Sequence, residues 1–371
     1  MKMILIMKQA FRLMPGPILM ALAGLFLLPG CQPVSPPLEN GATEAVFTYD
    51  TAEIPGAKPW SSENFANDPD NFQFAIIGDR AGGANPKGTY LKAMDQLNWL
   101  QPEFVMSVGD YVEGYTAKPE VMKDQWDEFD SIIAKLQMPF FYVRGNHDIN
   151  TPITRTAWTE RRGPNYYYFK YRDVLFIALD TEGMEESVAP ELEADLSKFN
   201  DLNIDDSEAA QAFAAKVNLI PRVSEIVAKD PPKVDFPEDQ VAWFKKVLEE
   251  NKDVRWTLVF LHQPVWNNPS SSFQEMDAAI QGRNYTFFAG HTHYYDYDPI
   301  KGKEYITVAS AGATIVHDGP GNVDMLTWVT MTGEGPEIAG IALKGIFDRK
   351  GLDPAMFDAY DRTPDPNATV H

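Results

Sequence analysis

Short apolar runs and amphipathic stretches alternate along the chain from about residue 72. The runs at 72–77, 104–108 and 140–143 have the length and composition of buried strands. Between them, apolar residues recur at helical spacing over 91–100 and 119–136. A strand, a helix and the next strand together take roughly 30 residues, which is the size of a βαβ unit. The pattern therefore predicts a largely parallel sheet whose faces are covered by helices.

The second half of the chain predicts further strands, interrupted by one long excursion. A tight turn at Arg172-Asp173 predicts a hairpin over 166–179. Residues 182–235 are acidic, Ala-rich and mostly helix-like. They predict a helical insertion, which is either a lid or a solvated peripheral element. Later strands are predicted at 256–261, 285–288, 305–309, 325–331 and 338–343. We expect the C-terminal strands to complete a second sheet.

The N-terminus predicts export from the cell. Three basic residues precede an apolar run at 18–28, which is too short to span a bilayer and fits a signal peptide over 1–30. Its end, Leu28-Pro29-Gly30-Cys31, resembles a bacterial lipoprotein signal in which the cysteine is acylated. The alternative is an ordinary secretory signal with an incidental cysteine. Gln32 favours the outer membrane by the same resemblance. We expect lipidation at Cys31 and localisation to the bacterial cell envelope.

The amino-acid composition indicates how the chain is divided into segments and which classes of partner it can bind. A Pro/Ser-rich tether is predicted at 31–65, one domain at 66–345 and a C-terminal tail at 346–371. Hydrophobic residues make up 44% of the chain, which is enough for a globular core. The formal charge of −21 argues against a nucleic-acid-binding surface, because that surface needs clustered Lys and Arg. The single cysteine excludes an internal disulfide.

Polar clusters with metal-binding side chains directly follow several predicted strands. Four of the six histidines lie in them. Taken singly, Asp79 and Asn146 also fit turns or caps, and His262 also fits a buried core histidine. Taken jointly, carboxylates, an amide and imidazoles at one sheet edge suit two metal ions. The candidate residues are Asp79, Asp110, Asn146, His147, Asp148, His262, His291 and His293.

In this order the clusters resemble those of the calcineurin-like metallophosphoesterase family. The resemblance spans roughly residues 72–310 and rests on Asp79, Gly109-Asp110, Gly145-Asn146-His147-Asp148, His262 and Gly290-His291-Thr292-His293. It implies an α/β fold, a four-layer α/β/β/α sandwich of two mixed sheets flanked by helices. It also implies a hydrolase that cleaves a phosphate ester with a hydroxide bridging two metal ions.

The resemblance implies a role for each residue. Asp110 bridges both ions; one ion also takes Asp79 and His293, and the other also takes Asn146, His262 and His291. Mixed oxygen and nitrogen ligation suits divalent or mixed-valence Mn, Fe or Zn rather than Ca or Mg. His147 is implied to be catalytic: it protonates the leaving group or stabilises charge on the phosphoryl oxygens. Asp148 would hold His147 in orientation.

The first motif departs from the family pattern. That pattern usually reads Asp-x-His, whereas this chain has Ala81 in place of the histidine. Purple acid phosphatases, which are relatives in fold, supply a tyrosine three residues after the bridging aspartate, where this chain has Glu113. We therefore expect Glu113 to be the missing ligand. The alternatives are a solvated Glu113, a pair between Glu113 and Arg80, and Tyr111 as a weaker rival ligand.

Three arginines are candidates for binding substrate. Arg80 follows the first aspartate, and Arg161 and Arg162 are expected in the loop after the third motif. Each also fits ordinary surface charge.

The prediction is a lipid-anchored, cell-envelope, metal-dependent phosphoesterase acting on a phosphorylated substrate. One alternative is a non-catalytic binding scaffold, which Ala81 favours and the retained His147 disfavours. Another is a pyrophosphatase that uses the same site on a P–O–P substrate.

Overall fold

The computed structural model divides the chain into Met1–Ala66 and Asn67–His371. It describes residues 47, 52, 58–62, 68–81, 88–116, 118–182, 194–195, 198–199, 202, 207–219, 221–222, 234–313 and 319–346. In the first unit the ring of Phe47 lies edge-on to that of Trp60, with centroids 5.3 Å apart. The predicted signal peptide, Cys31, and most of the tether and tail lie outside the described residues. Among the described residues, every helix is too short or too polar to span a bilayer.

The first sheet of the second unit contains five strands. They are β1 (Phe72–Ile77), β2 (Val105–Ser107), β3 (Phe140–Phe141), β10 (Met325–Thr332) and β11 (Gly335–Ala342). Their order is β11-β10-β1-β2-β3, with β1, β2 and β3 parallel and β10 antiparallel to β1. The two last strands were expected in the second sheet, and this expectation is wrong. Strand β10 pairs with all six residues of β1, from Phe72↔Met331 to Ile77↔Leu326, and so covers the open edge of β1.

The second sheet contains six strands. They are β4 (Tyr167–Tyr171), β5 (Val174–Ala178), β6 (Trp256–Phe260), β7 (Tyr285–Ala289), β8 (Asp296–Ile300) and β9 (Lys303–Thr307). Their order is β4-β5-β6-β7-β9-β8. Strands β5, β6, β7 and β9 run parallel, and antiparallel strands close both edges. The predicted hairpin around Arg172-Asp173 is confirmed as β4–β5.

The helices follow the predicted apolar stripes. They are α1 (Thr89–Leu100), α2 (Pro119–Ile133), α3 (Asn146–Ile149), α4 (Pro152–Arg162), α5 (Ser207–Lys216), α6 (Glu238–Glu250) and α7 (Ser271–Ile280). Proline occupies the first turn of α2, where a missing N–H costs nothing. Helix α4 begins with a capping box at Thr151. Helix α5 is the described helical part of the predicted insertion.

Successive side chains of a strand point to opposite faces of its sheet, and apolar side chains on these faces form three apolar layers. Between the sheets, Phe74 stacks on Phe104 at 5.2 Å and meets Phe176 of the second sheet edge-on at 5.3 Å. The opposite face of β1 packs with α1, α2 and α4. The outer face of the second sheet packs with α6 and α7. The architecture is therefore the predicted four-layer α/β/β/α sandwich of two mixed sheets.

A buried ion pair joins the two sheets at the edge where the polar clusters emerge. Arg144, after β3, donates to both oxygens of Asp180, after β5, at 3.0 and 2.5 Å. Both side chains are almost fully buried. Gln240 of α6 holds the backbone of Asp180 from both sides: its amide oxygen accepts from the Asp180 N–H and its amide nitrogen donates to the Asp180 carbonyl. The loop that carries Asn146 is thus fixed to the second sheet.

Replacing Arg144 should destabilise the fold strongly, because the substitution leaves the carboxylate of Asp180 buried without its cation. We expect Arg144→Met to lower the free energy of unfolding by about 3–5 kcal/mol in urea titrations. Lys245→Met is the matched control, because its ion pair with Glu275 is exposed. It should change stability by less than about 1 kcal/mol. Equal effects of the two substitutions would contradict the proposed cross-sheet link.

Candidate metal centre

Five loops from both sheets bring the predicted polar side chains to one edge. Asp79 follows β1, Asp110 follows β2, and Asn146 begins α3 after β3. His262 and His291 follow β6 and β7 of the second sheet. Donor atoms of Asp79, Asp110 and His262 all lie within 4.8 Å of one another, and all three residues are buried. Parallel neighbouring strands explain the convergence, because their carboxyl ends share one edge.

The Nε2 atom of His262 is the centre of this arrangement. It lies 3.3 Å from Oδ2 of Asp110, 2.9 Å from Oδ1 of Asn146 and 3.2 Å from Nδ1 of His291. Nδ1 of His262 lies 2.7 Å from the carbonyl oxygen of Val108, which assigns the ring proton to Nδ1. Nε2 thus faces three other polar atoms, two oxygens and one nitrogen. Atoms bound to one ion at about 2.0–2.2 Å lie roughly 3 Å apart, so this set fits a transition-metal ion.

Asp79 provides the second carboxylate. The N–H of His291 donates to both oxygens of Asp79, at 3.0 and 3.1 Å. Oδ1 of Asp79 lies 3.6 Å from Nδ1 of His262. Burial raises the pKa of Asp79, while the nearby imidazoles of His262 and His293 oppose this shift. His293 therefore lies within electrostatic reach of Asp79.

The electrostatics of the cluster favour a positive charge. Burial opposes charge on His262, but Asp110 and Asp79 raise its pKa well above the ordinary value. Burial likewise opposes ionisation of Asp110, yet His262 and His147 hold its pKa below the usual range. The pKa of His291 falls to about 3, because the ring is buried and lies beside His262. Two buried carboxylates thus create a field suited to a cation.

The backbone is strained where it presents these groups. Asp110, His291 and His293 have φ values of 60°, 71° and 54°, in the left-handed region that few residues with a Cβ adopt. Gly145 allows the loop after β3 to reach Asp110, because a Cβ at this position would overlap the Asp110 carboxylate. Such strain is typical of functional sites that the surrounding fold holds in place.

The family assignment follows from comparison with known proteins. The sequence model of the calcineurin-like phosphoesterase family matches residues 72–295, more than half of the chain, and spans every loop of the metal centre. The chain belongs to this family. Calcineurin-like phosphoesterases are phosphate ester hydrolases, and the candidate metal centre lies inside the matched region. No curated protein matches the sequence.

Several solved structures are similar to the chain. A dimetal phosphatase from Danio rerio has 17% identity and a TM-score of 0.47, covering 73% of this chain and 99% of its own. GAP50, the anchor in the inner membrane complex of Plasmodium, has 15% identity and a TM-score of 0.44, covering 80% and 98%. The purple acid phosphatase PPD1 of yellow lupin has 14% identity and a TM-score of 0.45, covering 75% and 52%.

The structure places His147 beside the metal centre of this calcineurin-like phosphoesterase. Its backbone N–H donates to Oδ1 of Asp110 at 2.9 Å. Its Nδ1 lies 2.8 Å from the carbonyl oxygen of Glu113, which makes Nδ1 the protonated nitrogen. Burial opposes its charge, but Asp110 and Glu113 raise the pKa of His147 above its ordinary value. The hydrogen bond to Glu113 thus engages Nδ1 and not Nε2.

The expectation that Asp148 orients His147 is wrong. The carboxylate of Asp148 accepts the N–H groups of Asp110, Tyr111 and Gly145, at 2.9–3.0 Å. It therefore joins the loops that carry Asp110 and Asn146. Burial, with the adjacent charge of Asp110, raises the pKa of Asp148 to about 7. The imidazole of His147 is oriented by the Glu113 carbonyl, because the first turn of α3 directs Asp148 toward the backbone of the preceding loop.

Glu113 contributes its backbone to the site, and its carboxylate as a metal ligand stays a prediction. The close group formed by Asp79, Asp110 and His262 does not include it among the described residues. Arg80 pairs with Glu128 at 2.7 Å. Tyr111, the rival ligand, is buried, and its hydroxyl bonds both to the N–H and to the carbonyl of Val143. The Tyr111 hydroxyl is thus used in the core.

The three arginines have structural partners. Arg80 donates to the Tyr111 carbonyl at 2.7 Å and to both oxygens of Glu128. Arg161 and Arg162 lie in the last turn of α4, not in a loop. They pair with Asp127 and Asp130 of α2, and the Arg162 guanidinium lies over the rings of Trp126 and Tyr142. Each of these arginines therefore pairs with a carboxylate of α2, and the expectation that they bind substrate stays a prediction.

Sequence reasoning missed two groups at the site, the Glu113 carbonyl and Tyr115. The Tyr115 hydroxyl accepts from Nδ2 of Asn146, at 3.3 Å, and its ring lies edge-on to that of His147. Gly114 was the available signal, because a glycine in a loop beside a polar cluster indicates a close backbone approach. The identity of the atom that approaches depends on the fold.

Adding one methyl group at Gly145 should disrupt metal binding, because the new Cβ would push the Asp110 carboxylate out of place. We expect Gly145→Ala to bind Mn²⁺ about 10–100-fold more weakly than wild type in calorimetric titrations. Gly333→Ala is the control, since a Cβ there meets nothing within 4 Å. Wild-type Mn²⁺ affinity in Gly145→Ala would show that the site does not need this close approach.

Proposed function

We propose that this calcineurin-like phosphoesterase hydrolyses a phosphate ester with two transition-metal ions, Mn, Fe or Zn, bound at the described edge. Asp110 would be the shared ligand. One ion would be held with Asp79 and His293, and the other with Asn146, His262 and His291. The observation that carries the proposal is the meeting of three donor atoms, from Asp110, Asn146 and His291, around Nε2 of His262 at 2.9–3.3 Å. A core histidine needs one partner at each ring nitrogen, whereas Nε2 of His262 faces three donor atoms of the kind that bind transition metals.

Metal ions explain how an acidic protein handles an anionic substrate. Two bound divalent cations neutralise phosphoryl charge and lower the pKa of a water. The chain carries a formal charge of −21, so its overall field disfavours phosphate. Arg80, Arg161 and Arg162 do not offset this field, because carboxylates already neutralise them. Binding of the substrate phosphate therefore depends on the metal ions.

His147 is proposed as the general acid that protonates the leaving oxygen. The Glu113 carbonyl fixes the ring through Nδ1, which directs Nε2 away from the loop. Burial opposes charge on His147, but the charges of Asp110 and Glu113 raise its pKa and so shift the ring toward the protonated form that a general acid needs. The N–H of His147 also donates to Asp110, so the acid and the shared metal ligand are held at a fixed separation.

We further propose that the protein is anchored by acylation of Cys31 and faces the bacterial cell envelope, with Gln32 favouring the outer membrane. The support is the apolar run at 18–28 that ends at Pro29-Gly30-Cys31. A tether over 31–65 would hold the catalytic domain away from the lipid surface.

Removing the proposed acid should slow hydrolysis most for poor leaving groups, because these need protonation. We expect His147→Ala with Mn²⁺ to lower kcat for phenyl phosphate esters by about 10²–10⁴-fold. The loss should be smaller for 4-nitrophenyl esters, whose leaving group departs without a proton. Mono-, di- and pyrophosphate substrates are to be compared, with Mn²⁺ content measured in parallel.

Equal losses on phenyl and 4-nitrophenyl esters would contradict the acid role. Absence of turnover by the wild-type protein with Mn²⁺, Fe²⁺ and Zn²⁺ would favour a non-catalytic scaffold instead.

Replacing Cys31 should release the protein from the membrane, because the acyl chains are the proposed anchor. We expect Cys31→Ser to move from the detergent phase to the aqueous phase in cell fractionation, while the wild-type protein carries the mass of attached acyl chains. An aqueous wild-type protein without added mass would contradict lipidation.

A further inference from the structure

The chain after β2 contains a strained aromatic residue beside the metal centre. Gly114 and Tyr115 take consecutive left-handed conformations, with φ values of 60° and 45°. Glycine adopts this conformation freely, but a residue with a Cβ is strained there. The side chain of Tyr115 is nevertheless buried, with 7% exposed. A bulky side chain held in an unfavourable backbone conformation at a site indicates a function.

Direct contacts with α3 impose this conformation. A Cβ at Gly114 would overlap the carbonyl oxygen of His147, so the loop lies against the helix backbone. The N–H of Tyr115 donates to Oδ1 of Asn150 at 2.8 Å, and Nδ2 of Asn150 donates to the His147 carbonyl at 3.2 Å. The loop carrying Tyr115 is therefore bonded to the same turn of α3 that carries Asn146 and His147.

The side chain of Tyr115 touches both of these residues. Its hydroxyl accepts from Nδ2 of Asn146 at 3.3 Å. Its ring meets the His147 ring edge-on, with centroids 5.0 Å apart and planes at 84°. The other end of the Asn146 amide, Oδ1, lies 2.9 Å from Nε2 of His262 and 3.0 Å from Nδ1 of His291. A rotated amide would turn its NH₂ group toward a metal ion and remove a ligand.

We propose that Tyr115 is a positioning residue for the metal centre. Its hydroxyl keeps the Asn146 amide oxygen directed at the metal, and its ring limits the orientation of the His147 imidazole. The inference rests on the proposed two-metal site, in which Asn146 is a ligand. Partners of metal ligands commonly act in this way, because they fix the ligand atom before the ion binds.

The test is Mn²⁺ binding to the full chain, measured by calorimetry without substrate. Tyr115→Phe removes the hydroxyl and keeps the ring, so we expect one of two Mn²⁺ ions to bind about 10–100-fold more weakly. Tyr167→Phe on β4 is the control, since it also removes a tyrosine hydroxyl. That hydroxyl donates a hydrogen bond to the Tyr142 carbonyl at 2.8 Å. The Mn²⁺ affinity of Tyr167→Phe should equal that of the wild-type protein. The melting temperatures of Tyr167→Phe and Tyr115→Phe should be similar.

A second substitution separates positioning from a merely structural role. Asn146→Ala removes the amide, so that no group is left for the Tyr115 hydroxyl to hold. In this background Tyr115→Phe should change Mn²⁺ affinity by less than about twofold. The difference between this loss and the loss in the wild-type background measures the coupling between the two residues. Equal loss of affinity in both backgrounds would overturn the inference, as would a lower melting temperature of Tyr115→Phe with unchanged Mn²⁺ binding.

The same Mn²⁺ titrations distinguish a failure of the proposed two-metal site from a failure of the role proposed for Tyr115. A wild-type protein that binds fewer than two Mn²⁺ ions would contradict the two-metal site itself. A wild-type protein that binds two ions, with Tyr115→Phe binding both equally tightly, would contradict only the role of Tyr115.

Discussion

The mutual approach of electron-rich side chains around His262 is the constraint on which the site depends. Asp79 and Asp110 are buried carboxylates, and the ring nitrogens of His262 and His291 come within 3.2 Å of each other. Buried like charges and facing lone pairs raise the energy of a fold unless a cation lies among them. The arrangement at the edge of the two sheets is therefore a candidate cation site.

The rest of the fold maintains that arrangement. Apolar layers on both faces of each sheet fix the strand ends, and the Arg144–Asp180 pair fixes one sheet to the other beside the Asn146 loop. Asp148 joins the loops after β2 and β3 through three backbone N–H groups. Left-handed backbone at Asp110, His291 and His293 is tolerated because these connections leave the loops little freedom. Packing energy therefore supports strain at the site.

The sequence was sufficient for the strands, and its family resemblance for the layers and for the meeting of Asp79, Asp110 and His262 at one edge. Buried strands are readable as apolar runs, and the order of polar clusters after them resembles one family over most of the domain. The hydrogen-bond and ion-pair partners of the site residues could not be predicted, because they depend on which loops lie next to each other in the fold. Asp148 follows His147 directly, yet its carboxylate accepts hydrogen bonds from the preceding loop. The Glu113 carbonyl, and not Asp148, bonds the His147 ring. Arg161 and Arg162 found carboxylates on α2, a helix about 30 residues earlier. The placement of β10 beside β1 is likewise set by strand pairing across the whole chain.

Anomalous X-ray scattering from crystals grown with Mn²⁺ tests the central claim most directly, because it locates metal ions without reference to activity. The account predicts two Mn²⁺ peaks about 3.5–4 Å apart. It also predicts that both peaks lie about 2.0–2.2 Å from the carboxylate of Asp110, with Nε2 of His262 bound to one of them. Absence of any peak beside Asp110 and His262 would contradict it.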